Sequence, residues 1–426
     1  MPRVVPVVDA VVTDDMTISA SLPRLIRLTL MSVVRPPSTW LTGIVVNLPG
    51  TLLALSLTSG LTAGPVHAAV LPEDRSDLMY HGYDGGGLEV TGPSVLVRKG
   101  FKDRVSVWAN YYVDMITSAS IDVVSTASEY TEERKEKSIG FDYLHGKTSM
   151  GLSYTNSEES DYSANSVRFG ISQDFFGDLT TLGISYARGF DTVRRNGDDT
   201  FEEEADRQIY RIDLSQILTK NLIVNLNYEG VTDEGFLNNP YRQVRYLDSG
   251  AALGFSYEAE LYPRTRTSSA QAIRAMYYLP YRAAAKAEFR NYTDSWGIDA
   301  YNWELGYTHP FGDTGLVAEI KYRFYEQTSA DFYSDLFPRQ NAQNFLARDK
   351  ELASFRTQTL GGGVSYEFDT QWLPGFKRGQ VSLFVDYIDF EYDDFRDVTA
   401  IGFAPGDEPT YAFDSVVTRL FISFYY

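Results

Sequence analysis

Residues 416–426 read VVTRLFISFYY. Every second position from Val416 is apolar or small: Val416, Thr418, Leu420, Ile422, Phe424 and Tyr426. Arg419 and Ser423 fall between them. Successive side chains on a strand point to opposite faces, so one face is apolar and the other mixed. A soluble edge strand rarely ends on three consecutive aromatics with no polar tail. A strand with one face in lipid and its end in an interfacial aromatic girdle accounts for that ending. The stretch resembles the closing strand of a bacterial outer-membrane β-barrel. That likeness makes Leu420, Ile422, Phe424 and Tyr426 the expected assembly signal, read by the barrel-assembly machinery.

The same alternation recurs upstream. Val105, Val107, Ala109, Tyr111 and Val113 alternate with Ser106, Trp108, Asn110, Tyr112 and Asp114. Residues 138–143, 149–154, 167–172, 222–228, 301–307, 364–368 and 381–387 repeat it. The clearest case is 316–324, where Leu316, Ala318, Ile320, Tyr322 and Phe324 face away from Glu319, Lys321 and Arg323. Short turns are expected at 99–103, 145–147, 176–178, 219–221, 279–282 and 310–315, with a somewhat longer one around 372–375. Long polar loops are expected at 117–136, 189–205, 230–267, 328–354 and 392–410. Short turns on one rim and long loops on the other are the asymmetry of an outer-membrane barrel. Seven turns join fourteen strands, the closing strand adds one, and a first strand within 77–98 makes sixteen; fourteen is the fallback. The fold expected is all-β, a transmembrane antiparallel up-and-down barrel.

Composition agrees. The chain has 426 residues with Tyr 30, Phe 25 and Trp 5, an aromatic content of 14% suited to interfacial girdles. Mean hydropathy is −0.24. No run of about twenty apolar residues follows the N-terminal region, which argues against a helical membrane protein. A net charge of −19 argues against nucleic acid as a partner. The absence of cysteine excludes disulfide frameworks, thiolate metal sites, thiol nucleophiles and c-type haem attachment.

The apolar segment 42–63, followed by Val66-His67-Ala68, reads as a secretory signal cut after Ala68. Met31 is an alternative start, with a short basic region behind it. Residues 1–68 are therefore expected to be an extension and signal peptide, and 69–426 the barrel. A membrane anchor is the rival reading, opposed by Pro49, Gly50 and Gly60.

Several motifs occur together: LPEDR at 71–75, YDGGG at 83–87, GPSVLVRK at 92–99, ANYYVD at 109–114 and FFGDLTTL at 175–182. YPRTRT at 262–267, YLPYR at 278–282 and DSWGI at 294–298 join them. On these the chain, from about residue 70 to its end, resembles a proteobacterial family catalogued as a domain of unknown function and expected to form outer-membrane barrels. The resemblance implies the fold and no established activity. It also implies a periplasmic redox context, with a lipoprotein or flavoprotein as partner.

Charged residues that alternate with apolar ones belong in the lumen, because charge in lipid is costly. The expected lumen-lining set is Asp114, Arg168, Arg211, Asp213, Lys286, Glu288, Arg290, Glu304, Glu319, Lys321, Arg323, Glu367 and Arg419. Other candidates favour bland readings. His81, His145 and His309 read as exposed turn residues rather than ligands. A Ser-His-Asp set needs a histidine at the outer rim, whereas His145 and His309 fall on the short-turn rim. Acidic groups at 198–204, 158–161 and 393–397 read as solvated loops rather than Ca²⁺ sites bridging lipopolysaccharide. The YDGGG stretch lacks the Lys-Ser/Thr of a phosphate-binding loop and reads as a tight turn. The Pro263-Arg264-Thr265-Arg266 run suits an anion or a salt-bridge network equally. No cofactor and no enzymatic activity are expected. The leading function is a porin-like channel for small solutes or a barrel scaffold in outer-membrane lipid and lipopolysaccharide. The alternatives are an interaction scaffold for a lipoprotein and flavin-redox system and, last, a surface enzyme.

Overall fold

A computed structural model describes residues 70–118 and 130–426. The apolar segment 42–63 and the cleavage position after Ala68 lie outside the described residues. The described residues form eighteen strands: β1 (Arg75–Gly85), β2 (Leu88–Phe101), β3 (Val105–Ser118), β4 (Tyr130–His145), β5 (Thr148–Glu158), β6 (Tyr162–Phe175), β7 (Thr180–Arg194), β8 (Glu202–Thr219), β9 (Leu222–Gly235), β10 (Gln243–Leu247), β11 (Phe255–Ala259), β12 (Thr265–Tyr278), β13 (Ala284–Asp294), β14 (Asp299–Pro310), β15 (Leu316–Gln327), β16 (Phe355–Asp369), β17 (Arg378–Arg396) and β18 (Thr410–Tyr425). Sixteen of them close an antiparallel barrel in chain order, and β10–β11 make a separate hairpin within one loop. The closing seam pairs β1 with β18, from Arg75 opposite Tyr425 to Gly85 opposite Ser415.

Closure follows from the two-residue period. On β18, Val416, Thr418, Leu420, Ile422 and Phe424 point outward, while Val417, Arg419, Phe421, Ser423 and Tyr425 point in and are buried or nearly so. On β15, Ile320 is 55% exposed beside a buried inward Arg323. A one-residue slip would carry Glu319, Lys321 and Arg323 to the outer face, so the register is strongly fixed. The same exposed apolar rows run round the wall: Leu78, Tyr111, Ile139, Phe169, Ile212, Ile273, Phe289, Leu305 and Leu360 all face outward. A soluble protein does not expose such a continuous belt; lipid is its solvent. Phe176 and Trp372, 79% and 69% exposed, sit in turns at the lower rim, where aromatics anchor to the interface.

All seven expected turns join strands on one rim, and the YDGGG stretch is a turn on the other. There Gly86 and Gly87 (φ 58° and 77°) occupy left-handed backbone between β1 and β2, the geometry of a two-residue hairpin loop. The loop at 328–354 has the expected bounds, whereas those expected at 189–205, 230–267 and 392–410 are shorter than the sequence suggests. β7 runs on to Arg194, β8 starts at Glu202, β9 reaches Gly235, β12 starts at Thr265 and β17 reaches Arg396. These strand ends rise above the apolar belt and carry polar residues on both faces. The main-chain ladder continues there, while the alternation that marks it fades.

Candidate lumen site

The lumen has two unlike walls. On β17, β18 and β1–β4 the inward side chains are packed. Ser106, Tyr112, Arg134, Glu136 and Ser423 are at most 1% exposed. Met79, Leu96, Trp108, Tyr112 and Phe421 form one apolar cluster with Ala187, Ile209 and Val231, so side chains bridge the lumen from β1–β3 and β18 to β7–β9. His81 lies in this packed wall. That corrects its reading as an exposed turn residue: its ring is 1% exposed, stacked 4.9 Å from Tyr112, with Nε2 2.7 Å from Asp114 Oδ1. It crosses over Gly92, its inward partner on β2, where a Cβ would fall 1.7 Å from the Val113 carbonyl oxygen. The neighbouring glycines at 82 and 85–87 give the stretch the look of a turn and hide the strand beneath it.

The opposite wall, β6–β9 and β12–β15, holds most of the expected charges at half-buried inward positions. Arg168 donates from Nη2 to Ser185 Oγ at 3.0 Å. Arg211 donates to Glu229, and Arg290 approaches the same carboxylate at 3.5 Å. Their side chains stay 17% (Arg211), 24% (Glu229) and 26% (Arg290) exposed. Asp213 accepts from Asn227 Nδ2. Arg274, which sequence reasoning missed among its small neighbours Ala272 and Ala275, pairs with Glu288. Glu304 faces Arg323 across the β14–β15 ladder, Glu319 lies opposite Thr308, and Lys286 and Lys321 flank Gly306. Lys321 reaches over Gly361 to Asp386 at 3.3 Å, and Arg419 binds Asp386 at 2.6 Å. Asp114 belongs to the packed wall. Glu367 keeps the inward parity but sits at the short-turn rim, exposed and paired with Arg378 at 2.9 Å. In the band from Arg168 to Arg419, basic groups outnumber acidic ones, although the whole chain carries −19.

Three of the long loops are tied together at the far rim. Residues 236–264 and 328–354 pair through bridges at Tyr246–Phe337 and Leu261–Leu346. Leu237, Tyr262, Trp296, Phe332 and Leu352 pack as a core beneath. Fully buried Arg245 joins three loops: it donates to Asp335 and, at 2.5 Å, to Glu408. Arg348 also binds Asp335, at 2.9 Å, and Arg242 binds Asp349 at 2.6 Å. Gln327 ties the rim to this cap by donating to the carbonyls of Glu351 and Ala353 at 2.9 and 2.8 Å. Burial, and then the nearby Asp349 carboxylate, push Glu260 up to about 7. Burial likewise pushes Asp161 up to about 6, partly offset by the Tyr241 hydroxyl. Burial opposes the Glu408 charge, but the Arg245 hydrogen bond prevails and holds it below the usual carboxylate range.

Among the described residues no group of three or more His, Asp or Glu is arranged to hold a metal. Of the acidic stretches, Asp161 accepts from Tyr241 and Asp394 from the Ser354 amide. Arg264 and Arg266 form ion pairs with Glu203 and Asp294, the salt-bridge reading of that run.

A closed sixteen-strand barrel with an apolar outer belt and a charged interior is a transmembrane barrel of the outer-membrane class. The model of the family described as "Protein of unknown function (DUF3570)" matches residues 124–377, and the chain belongs to that family. No curated protein matches it. Among solved structures it is similar to a bacterial polysaccharide outer membrane secretin, with 6% identity, a TM-score of 0.46 and coverage of 84% of this chain and 100% of that one. It is similar to the outer membrane protein opdK from Pseudomonas aeruginosa (11%, TM-score 0.38, 83% and 98%). It is also similar to the CymD monoaromatic hydrocarbon channel (10%, TM-score 0.41, 89% and 93%).

Proposed function

We propose that the chain is a capped channel of the bacterial outer membrane, passing small polar solutes through a narrow conduit against the β6–β15 wall. The partly exposed charge band at Arg211, Glu229, Arg290 and Lys321 carries this reading. A barrel serving only as a scaffold loses little, and often gains stability, when such groups are replaced by well-packed apolar ones. Here they lie in ion pairs yet keep contact with solvent. The packed wall narrows the lumen, so the conduit is far smaller than a general porin's. The cap is its gate, held by Arg245.

Export by the 42–63 segment, insertion by the assembly machinery through Leu420, Ile422, Phe424 and Tyr426, and seating in lipid and lipopolysaccharide belong to the same proposal. The test is current across a planar bilayer from the refolded chain and from Arg245→Ala. Rare steps are expected from the wild type and frequent ones from the variant. Silence of both at either polarity would overturn the channel reading. Co-purification with a lipoprotein or flavoprotein would then make the scaffold reading the better one.

A further inference from the structure

We infer that Glu73 and Asp74, in the LPEDR stretch, form a clasp that takes the end of β18 over from the barrel-assembly machinery, so that the barrel is released as the clasp engages. The inference rests on the reading of Leu420, Ile422, Phe424 and Tyr426 as the assembly signal and adds the step that ends that contact.

The strands at the seam run β17–β18–β1–β2. The β1–β18 ladder ends at Arg75 opposite Tyr425, and Glu73 and Asp74 lie just past it. These two residues reach opposite flanks of the seam. Glu73 pairs with Arg378 on β17. Asp74 turns to β2, where its Oδ2 accepts from Lys99 Nζ at 2.5 Å and its Oδ1 from the Gly100 amide at 2.5 Å. A Cβ at Gly100 would fall 2.8 Å from that oxygen. Adjacent carboxylates thus tie together the strands on either side of the seam.

The same residues enclose the end of the assembly signal. Tyr426 donates its amide to the Asp74 carbonyl at 3.2 Å, and its hydroxyl lies 3.3 Å from the Arg75 carbonyl oxygen. Lys99, bound by Asp74, stands 4.8 Å over the Tyr426 ring. Arg378, bound by Glu73, stands 3.6 Å over the Tyr425 ring. Lys377 donates to the Tyr426 carbonyl at 3.3 Å. A protein that reads this strand needs its unpaired edge and these ring faces. One edge of β18 is taken by β17, and the other accepts a single ladder. The clasp and the machinery therefore exclude each other.

The carboxylates add little to equilibrium stability. The Glu73 and Lys99 side chains are 54% and 51% exposed, and exposed ion pairs contribute little beside a ladder running from Arg75 to Gly85. Their contribution is to the competition: opposite charge draws the chain ahead of β1 onto Lys99 and Arg378 and holds it there while the partner lets go.

The experiment follows the exported chain, diluted from urea into lipid vesicles with and without purified assembly machinery. Wild type should co-purify with the machinery at early times and leave it as the heat-modifiable barrel appears. Glu73→Gln with Asp74→Asn should leave about ten-fold more slowly, the combined effect of two ion pairs, yet fold at the wild-type rate in vesicles without machinery. Glu391→Gln, which breaks an exposed pair with Arg356 elsewhere on the wall, should leave as wild type does. Equal release of the double variant and wild type overturns the clasp and leaves the assembly signal standing. A double variant that folds slowly both with and without machinery also overturns it, because the carboxylates then serve the fold alone. Wild type that never co-purifies with the machinery removes the signal and the clasp together. If the double variant fails to fold, Asp74→Asn alone replaces it; it keeps an acceptor for the Gly100 amide, loses the ion pair with Lys99, and should be delayed only on the machinery.

Discussion

Asp386 is the residue whose loss should hurt the barrel most for its size. It sits 2% exposed on β17 and accepts from Arg419 at 2.6 Å, with Lys321 Nζ at 3.3 Å. Asp386→Ala removes the carboxylate and leaves two cations. They do not suffer equally. Lys321 is 21% exposed and can swing its ammonium into the solvated side of the lumen. Arg419 is held at 3% exposure between Phe384 and its strand neighbours and cannot. Breaking one partner of a buried pair costs about 3–5 kcal/mol, most of it the stranded charge. Replacing both partners by apolar groups costs far less, so Asp386→Leu with Arg419→Met should recover to within about 1 kcal/mol of wild type. The assay is urea unfolding of the refolded barrel, followed by the shift between folded and unfolded bands on a gel. A single variant within 1 kcal/mol of wild type, or a double variant no better than the single, would refute the reasoning that Arg419 depends on this carboxylate.

Three further outcomes are expected. Phe424, which packs against Phe368 and Phe376 on the outer face, should not tolerate charge: Phe424→Asp should cost up to about 2–4 kcal/mol, depending on depth, and give protease-sensitive protein, checked by heat-modifiable mobility. N-terminal sequencing of the exported protein should begin at Ala69; retention of Leu52 would count against the signal-peptide reading. The cap should be tightest in acid. Glu260 is raised by burial and Asp349 from 4.5 to about 7, so its contribution is complete below about 4.5 and lost as pH rises through about 7. Around it stand Asp349, Arg242, Tyr262 and Arg348, and of these Tyr262 and the Arg348 amide bond it directly. Open probability should therefore rise between pH 5 and 7.5, and Glu260→Gln should flatten that rise.

What could be read in advance was what is local and repeats. β15 was legible because each of its faces is uniform, and β18 because its outer row runs unbroken to Phe424. Turns were legible because Gly146, Gly177 and Gly312 adopt backbone that other residues avoid. The inward parity of Lys286, Glu288 and Arg290 followed from the same period. The cap was not legible, since its ties join distant segments: Arg245 and Glu408 are 163 positions apart, and no short window contains both. Nor was the asymmetry of the lumen. Trp108, Tyr112 and Phe421 look like any other members of alternating strands, and only closure shows that they meet Ile209 and Val231 across it. Arg207 and Asp233 escaped notice because they lie near strand ends where both faces are polar.

The packed wall is made from the two ends of the chain. β1–β4 meet β17 and β18 there, and the Tyr426 hydroxyl reaches the Arg98 carbonyl at 2.9 Å across 328 positions of sequence. Contacts of such separation form late, because the chain between must first be brought into order. Neighbouring hairpins along β5–β16 need no such wait. The most completely buried region of this barrel is thus the last to be completed. Until it is, His81, Arg134, Arg419 and Asp386 stand at an unsealed edge, and the step that joins β18 to β1 desolvates them all together. Such a seam is stitched by its interior as well as by its ladder, which opposes parting the strands sideways into lipid.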